Sequence, residues 1–276
     1  GGGGGDTEVY DDVRGKDGEF VCPARRIFAP TQGSLVCTTT APVCEEEVCR
    51  KVVDVVQGHV ESVNKGIWGS VRAATVKTTD VAIEDVPVLR GWMRSLCEER
   101  LFPIVHERYP VLRDGSRTYV VGEGGERESR LRLHDAFIVR YDEGDGSLSL
   151  PEHVDTSVVS MTVALNGGGE YEGGGTWFQD LAEDGGGKGR RGRVLNNEVG
   201  GATIFAGPMR HAGFPIRKGT RWIAVLFCYE EGEKGEKGVR PSGDTDGGYV
   251  VYRQTVELAN LLERNDYDEE GEGEEG

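Results

Sequence analysis

Apolar residues recur at two different periods along this chain, and the change of period divides it. In residues 40–64, Val48, Val52, Val55, Val56 and His59 fall on one side of a helical projection. Thr40-Ala-Pro-Val supplies a capping residue and an early proline, and Glu45, Glu46 and Glu47 put negative charge in the first turn, where the helix dipole favours it. A helix is therefore predicted over residues 40–64. A second is predicted over residues 86–106 through Leu89, Trp92, Met93, Leu96, Leu101 and Ile104, with Pro103 placed to kink or break it. Residues 34–37 read as a short strand, and residues 73–83, rich in β-branched side chains, as one or two extended segments.

From Arg132 the period shortens to two. Strands are predicted over residues 134–141, 153–155, 158–165, 175–178, 194–199, 202–205 and 221–229, separated by glycine turns. Phe137, Val139 and Tyr141 share one face of the first, with Ile138 and Arg140 on the other. Short strands at this spacing predict an antiparallel barrel or sandwich, which the preceding helices would support as an α+β domain. The expected organisation is a disordered tail over residues 1–20, a helical support region over 21–130, a β core over 131–230, and a helix (249–264) with an acidic tail closing residues 231–276.

Charge changes little in this picture once it is located. The formal net charge is −16, but residues 266–276 carry seven acids and no base, and residues 1–20 a net of −4. The body is only mildly acidic, which argues against nucleic acid as a partner, since phosphate recognition needs clustered Lys and Arg. One basic cluster, residues 188–193, lies in a glycine-rich stretch and reads as a solvated insertion. No apolar run approaches the ~18 residues of a membrane span. The sequence opens on glycines rather than Met, so a missing signal peptide says nothing about compartment. Six cysteines are too sparse for a disulfide-built scaffold; four fall at positions 22, 37, 44 and 49 without a Cys-x-x-Cys pair, which disfavours a zinc cluster and leaves disulfides open. Cys228, in the last strand, reads as a buried hydrophobe.

The candidate chemistry begins with His153-Val154-Asp155 and continues with His211. Two imidazoles and a carboxylate can cap one face of an octahedral iron, leaving positions for a cosubstrate and O2. On a strand, residues i and i+2 project from one face, so His153 and Asp155 could grip one metal while Val154 packs away. A His-x-acid triplet alone is weak evidence; its surroundings strengthen it. Gly219 can make a tight turn, after which Arg221, Ile223, Val225 and Phe227 share one strand face. A guanidinium in phase with three apolar residues points inward, which is costly unless an anion waits there. Its fork suits a carboxylate. A ligand with a chelating end and a carboxylate end is required, and 2-oxoglutarate has both. Tyr141 could donate its hydroxyl to the same ligand. His59, His106 and His134 lack such context and read as ordinary partly buried residues. Gly173-Gly-Gly175 reads as a turn, since no Gly-Lys-Ser/Thr follows it.

At these residues the sequence resembles a known family. Residues 137–228 look like the catalytic domain of Fe(II)/2-oxoglutarate-dependent procollagen hydroxylases, first the lysyl hydroxylases and next the prolyl 4-hydroxylases. The matching pieces are Arg140-Tyr141 followed by His153-Val-Asp155, Val163-Ala-Leu-Asn166, Tyr171-Glu-Gly-Gly-Gly175 with Phe178, Gly207-Pro with His211, and Gly219-Thr-Arg-Trp-Ile-Ala-Val225. The resemblance implies a double-stranded β-helix (jelly roll) with the metal at its open end. It also implies His153, Asp155 and His211 as iron ligands, with Arg221 and Tyr141 holding 2-oxoglutarate. The implied activity is hydroxylation of a prolyl or lysyl side chain in a peptide or protein, with Fe(II), 2-oxoglutarate, O2 and L-ascorbate, in the endoplasmic reticulum lumen. Prolyl hydroxylases of the collagen type usually carry Lys where Arg221 stands, so this position leans to the lysyl side. The large additional domains of the animal enzymes are not in this sequence, so collagen specificity is not implied. A small-molecule oxygenase on the same scaffold and a non-catalytic jelly-roll binding module are the rival readings. Jumonji-type domains usually draw their 2-oxoglutarate cation from an earlier strand.

Overall fold

The structure is a computed structural model that describes residues 10–13, 35–63, 65–66, 68, 79–115, 118–121, 125–128, 130–145, 147–155, 157–179, 181 and 192–231. The predicted helix over 249–264, the acidic tail, Cys22 and most of the basic cluster lie outside the described residues. So does the expected disordered tail over 1–20 except Tyr10–Val13, which forms a strand instead of a disordered segment because its backbone pairs with residues 36–39. β1 (Tyr10–Val13) pairs with β2 (Val36–Thr39), which starts two residues later than the sequence pattern suggests. α1 spans Glu46–Ser62, so the helix begins well after Thr40. The physical reason is a competing acceptor: the backbone N–H groups of Val43 and Cys44 both donate to the Gly200 carbonyl, at 2.9 and 3.4 Å, which holds this segment extended. Cys49, Val52, Val56 and Val60 form the buried stripe of α1, and His59 is half-buried.

After β3 (Asp80–Ala82), the second helical region is one interrupted rod. A 3₁₀ turn at Pro87–Leu89 leads into α2 (Arg90–Leu96), then a π turn over Cys97–Leu101, then α3 (Phe102–Arg108). Pro103 has no N–H for the Glu99 carbonyl and its ring crowds that turn. The wider π turn just before it absorbs the misfit, so the helix continues rather than breaks.

A hairpin of β4 (Thr118–Val121) and β5 (Gly125–Glu128) precedes the long β6 (Arg130–Asp142), β7 (Leu150–His153) and β8 (Val159–Ala164). Short strands follow at β9 (Tyr171–Gly173), β10 (Thr176–Phe178), β11 (Arg193–Leu195), β12 (Ala202–Ala206) and β13 (His211–Gly213), and the chain's longest strand, β14 (Ile216–Glu231), completes the described part. Besides the β4–β5 hairpin, two antiparallel sheets result among the described residues. The larger runs β1-β2-β12-β8-β14-β6-β3, and the smaller β11-β10-β13-β7. One face of the larger sheet, with Ile138, Met161, Val163, Ile204, Ala224 and Leu226, joins Val52, Val56, Met93, Leu96 and Leu101 in a single core. Its other face turns toward the smaller sheet and encloses a cavity of about 400 Å³.

Gly219 corrects the expectation of a tight turn. It lies inside β14 with φ +78°, and the strand passes through it from pairing with β9 to pairing with β6 and β8. The left-handed conformation bends the strand without ending it. A Cβ at this position would sit 2.1 Å from the Glu170 carbonyl oxygen, whereas one at Gly58, mid-α1, meets nothing within 4 Å. Gly219→Ala is therefore expected to cost about 1–3 kcal/mol in urea denaturation, while Gly58→Ala stabilises by about 0.5–1 kcal/mol. Equal effects of the two changes would refute this assignment of the bend.

Candidate metal centre and its cavity

His153 ends β7 and His211 begins β13, and the two residues face each other across the ladder between these strands. Asp155 is not on a strand. β7 stops at His153, and Asp155 follows in a loop, so the i, i+2 strand geometry expected of the triplet is replaced by a different constraint. The Asp155 N–H donates to the Gly207 carbonyl at 2.9 Å, and the Gly207 N–H donates to Val158 at 3.1 Å. Any side chain at position 207 would collide with the Ser157 carbonyl oxygen, 1.9 Å from where its Cβ would stand. Glycine there lets the Asp155–Val158 loop close onto the segment that follows β12 and bring Asp155 to the two imidazoles.

The three side chains converge. His153 Nε2 lies 3.5 Å from Asp155 Oδ1, and His211 Nε2 lies 3.5 Å from Asp155 Oδ2. One ligand atom from each residue falls within 4.8 Å of the others. Cis ligands on a metal with bonds of ~2.1 Å stand about 3 Å apart, so the set needs little movement to close on an ion. Both imidazoles are also oriented for it. His153 Nδ1 contacts the Pro151 carbonyl at 2.7 Å and His211 Nδ1 the Met209 carbonyl at 2.8 Å. A carbonyl only accepts, so each Nδ1 carries the proton and each Nε2 keeps its lone pair for the cavity. Burial lowers the His211 pKa, against the opposing pull of Asp155, and so favours the neutral, ligating form. Phe205, at 4.7 Å between ring centroids, fixes the His211 ring from the side.

Ser160, which the sequence reading missed, completes the support. Its hydroxyl donates to Asp155 Oδ2, and Ser157 lies 2.6 Å from Ser160. An ionised carboxylate only accepts, so Ser157 donates to Ser160 and Ser160 to Asp155. A signal existed in the sequence: Ser160 and Thr162 alternate with Val159, Met161 and Val163, which puts small hydroxyls on the face opposite the core.

Tyr141 and Arg221 meet beside this cavity. They are direct partners in the β6–β14 ladder, and the guanidinium carbon lies 5.4 Å from the phenol ring centroid. Arg221 is only 4% exposed, and its Nε and Nη1 have no hydrogen-bond partner among the described residues. Phe137, Val139, Tyr141, Ile223, Val225 and Phe227 all line the cavity, as the period-two pattern predicted. Burial raises the Tyr141 pKa while Arg221 lowers it and Asp80 raises it, so the phenol stays protonated and able to donate at neutral pH.

The remaining candidates fall outside this grouping. His106 is partly buried with Nε2 3.8 Å from Asp114, and His134 packs edge-on against Tyr229. Cys37, Cys44, Cys49, Cys97 and Cys228 are buried and unbridged, and no zinc-like cysteine cluster occurs among the described residues.

Comparison with known proteins points the same way. Procollagen-lysine,2-oxoglutarate 5-dioxygenase 1 of Mus musculus is 32% identical over 155 residues, covering 55% of this chain and 18% of that protein. The multifunctional procollagen lysine hydroxylase and glycosyltransferase LH3 of Rattus norvegicus is 29% identical over 199 residues, covering 67% and 22%. The chain is a homologue of the procollagen lysyl hydroxylases. It spans about a fifth of the length of these relatives. No family model matches it. Among solved structures, the epimerase SnoN in complex with Fe3+, alpha ketoglutarate and nogalamycin RO is similar in fold, with a TM-score of 0.50 at 12% identity over 82% of this chain and 95% of that one.

The serine relay makes a specific prediction. Ser160→Ala leaves Asp155 without its oriented donor and is expected to weaken Fe(II) or Mn(II) binding by about tenfold or more, measured by equilibrium metal titration. Unchanged metal affinity would remove Ser160 from the site.

Proposed function

We propose that this chain is an Fe(II)- and 2-oxoglutarate-dependent dioxygenase that hydroxylates a prolyl or lysyl side chain of a peptide or protein, releasing succinate and CO2. The observation that carries the reading is the pairing of two neighbouring features: three convergent metal donors in a cavity, and beside it a buried guanidinium with two nitrogens unpartnered among the described residues. The donor set suits iron, since two neutral imidazoles and one carboxylate leave coordination positions for other ligands. The two sheets are read as the halves of a double-stranded β-helix, with residues 131–230 as the catalytic unit and the helices as its buttress.

In this reading His153, Asp155 and His211 hold the iron, and the Ser157–Ser160 relay keeps Asp155 aimed. Arg221 binds the distal carboxylate of 2-oxoglutarate with two parallel hydrogen bonds, and Tyr141 donates to the same ligand. When bound, iron and 2-oxoglutarate together supply the activation of O2 for attack on an unactivated C–H bond, with L-ascorbate as the reductant that keeps the iron ferrous. The protein's part is to orient these groups and to exclude water. The apolar walls from Val139, Ile223, Val225 and Phe227 serve the second task.

Two variants test the assignment. His153→Ala is expected to abolish substrate-dependent succinate formation; turnover at the wild-type rate would sink the proposal. Arg221→Ala removes one partner of a buried charge pair, which typically costs about 2–5 kcal/mol, so 2-oxoglutarate affinity should fall by about thirtyfold or more. Cosubstrate affinity that does not move would take Arg221 out of the site.

A further inference from the structure

A second charge with an atom unpartnered among the described residues lines the cavity beside which Arg221 lies, and it has the opposite sign. Asp80 lies directly across from Val139 in the β3–β6 ladder, so its side chain shares the cavity face with Val139. Its neighbour Val81 pairs with Ile138 and points into the main core. The Asp80 carboxylate lines the cavity, and its Oδ1 is shielded from water with no hydrogen-bond partner among the described residues. A carboxylate oxygen in that state is costly unless something donates to it.

Among the described residues, neighbouring cations do not serve. Arg140, the nearest base on β6, stacks over Trp68 at 4.4 Å and pairs with Asp145. Arg221 leaves Nε and Nη1 unpartnered, so it is not neutralising Asp80 either. Among the described residues, one unmet acceptor at the cavity wall and one unmet donor group beside the cavity, behind Tyr141, thus do not satisfy each other. Opposite charges left apart in this way call for two ligand groups, an anion at Arg221 and a cation at Asp80.

The sum of charges agrees. On the reading above, Fe(II) offsets the two carboxylates of 2-oxoglutarate, and Arg221 offsets Asp155. Asp80 and Glu152, which lines the cavity from β7, then leave it negative. Phe137, Val139, Val225 and Phe227 make much of the remaining wall apolar. A long aliphatic side chain ending in an ammonium matches such a wall, methylenes against the apolar surface and charge at the carboxylate. A proline ring offers no donor to Asp80.

We propose that Asp80 is the specificity-determining residue of this site, a counter-ion that selects a cationic lysyl-type side chain over a prolyl one. This rests on the dioxygenase reading for the identity of the site, but Asp80 is assigned by its own position and its own unmet oxygen.

The test is an equilibrium measurement without turnover. Under argon, with Fe(II) and 2-oxoglutarate present, the affinities of two short peptides are compared, one with a single central lysine and one with norleucine in its place. The wild-type protein should prefer lysine by about tenfold or more, the contribution expected of a hydrogen bond to a charged group. Asp80→Asn should bring the two affinities within about threefold, and Asp80→Glu, which keeps the charge, should retain the preference. A wild-type protein that does not distinguish the peptides, or an Asn variant that prefers lysine as strongly as wild type, overturns the proposal. So does tighter binding of the matching prolyl peptide. If the Asn variant does not fold, the wild-type lysine-to-norleucine ratio decides alone. Titration of 2-oxoglutarate on the same sample separates the two readings: no cosubstrate binding with an intact lysine preference refutes the dioxygenase and leaves Asp80 standing.

Discussion

A guanidinium buried in a protein interior with no anionic partner among the described residues is the constraint on which the rest of this structure turns. Removing such an ion from water costs several kcal/mol even after the surroundings relax, and only a well-placed anion repays it. Arg221 occupies that position, with two of its nitrogens unmet. It is held there by β14, whose even-numbered residues Trp222, Ala224, Leu226 and Cys228 are anchored in the main core. With that side fixed, Arg221, Ile223, Val225 and Phe227 must face the other way. A one-residue slip of register would place the charge among the helices and Trp222 in the cavity. The stability of the large sheet is therefore what keeps the site strained and ready for an anion.

The helices act at a distance through the same strand. α1, α2 and α3 share a core with the back of the large sheet, and that packing fixes which face of β6, β8 and β14 is turned to the cavity. The small sheet contributes the metal donors by another route. His153 and His211 sit at adjacent strand ends, and Asp155 is delivered by a loop that closes only because Gly207 has no side chain. One wall thus holds the cation and its tyrosine, the other most of the metal-binding edge. Neither sheet alone makes the site.

Much of this was legible in the sequence. The two faces of β6 and β14 were read from alternation alone, because a strand buried on one side and facing a cavity on the other has a strict period of two. The stripe on α1 was legible for the equivalent reason at a period near 3.6. What escaped was decided by contacts from elsewhere in the chain. The start of α1 depended on the Gly200 carbonyl, and the π turn on how a helix accommodates Pro103. Asp155 left its strand because a loop from the other side of the site captured its N–H. β9 and β13 are three residues each, too short for any periodicity to register. Ser160 was written in the pattern but was passed over, since a small polar residue in an apolar run is easily taken as neutral. Asp80 could not be singled out from 48 acids without knowing which of them faces the cavity.

The two unmet charges and the three metal donors support one proposed account: a dianion that iron would bind at one end and Arg221 at the other, with the remaining volume left for a substrate side chain. Anaerobic titration of the Fe(II)-loaded protein with 2-oxoglutarate, followed by visible absorption, tests it most directly. Chelation by the keto-acid end should give a charge-transfer band that saturates at an equimolar ratio and does not form with succinate, which lacks that end. Iron binding without such a band at saturating 2-oxoglutarate would contradict the account.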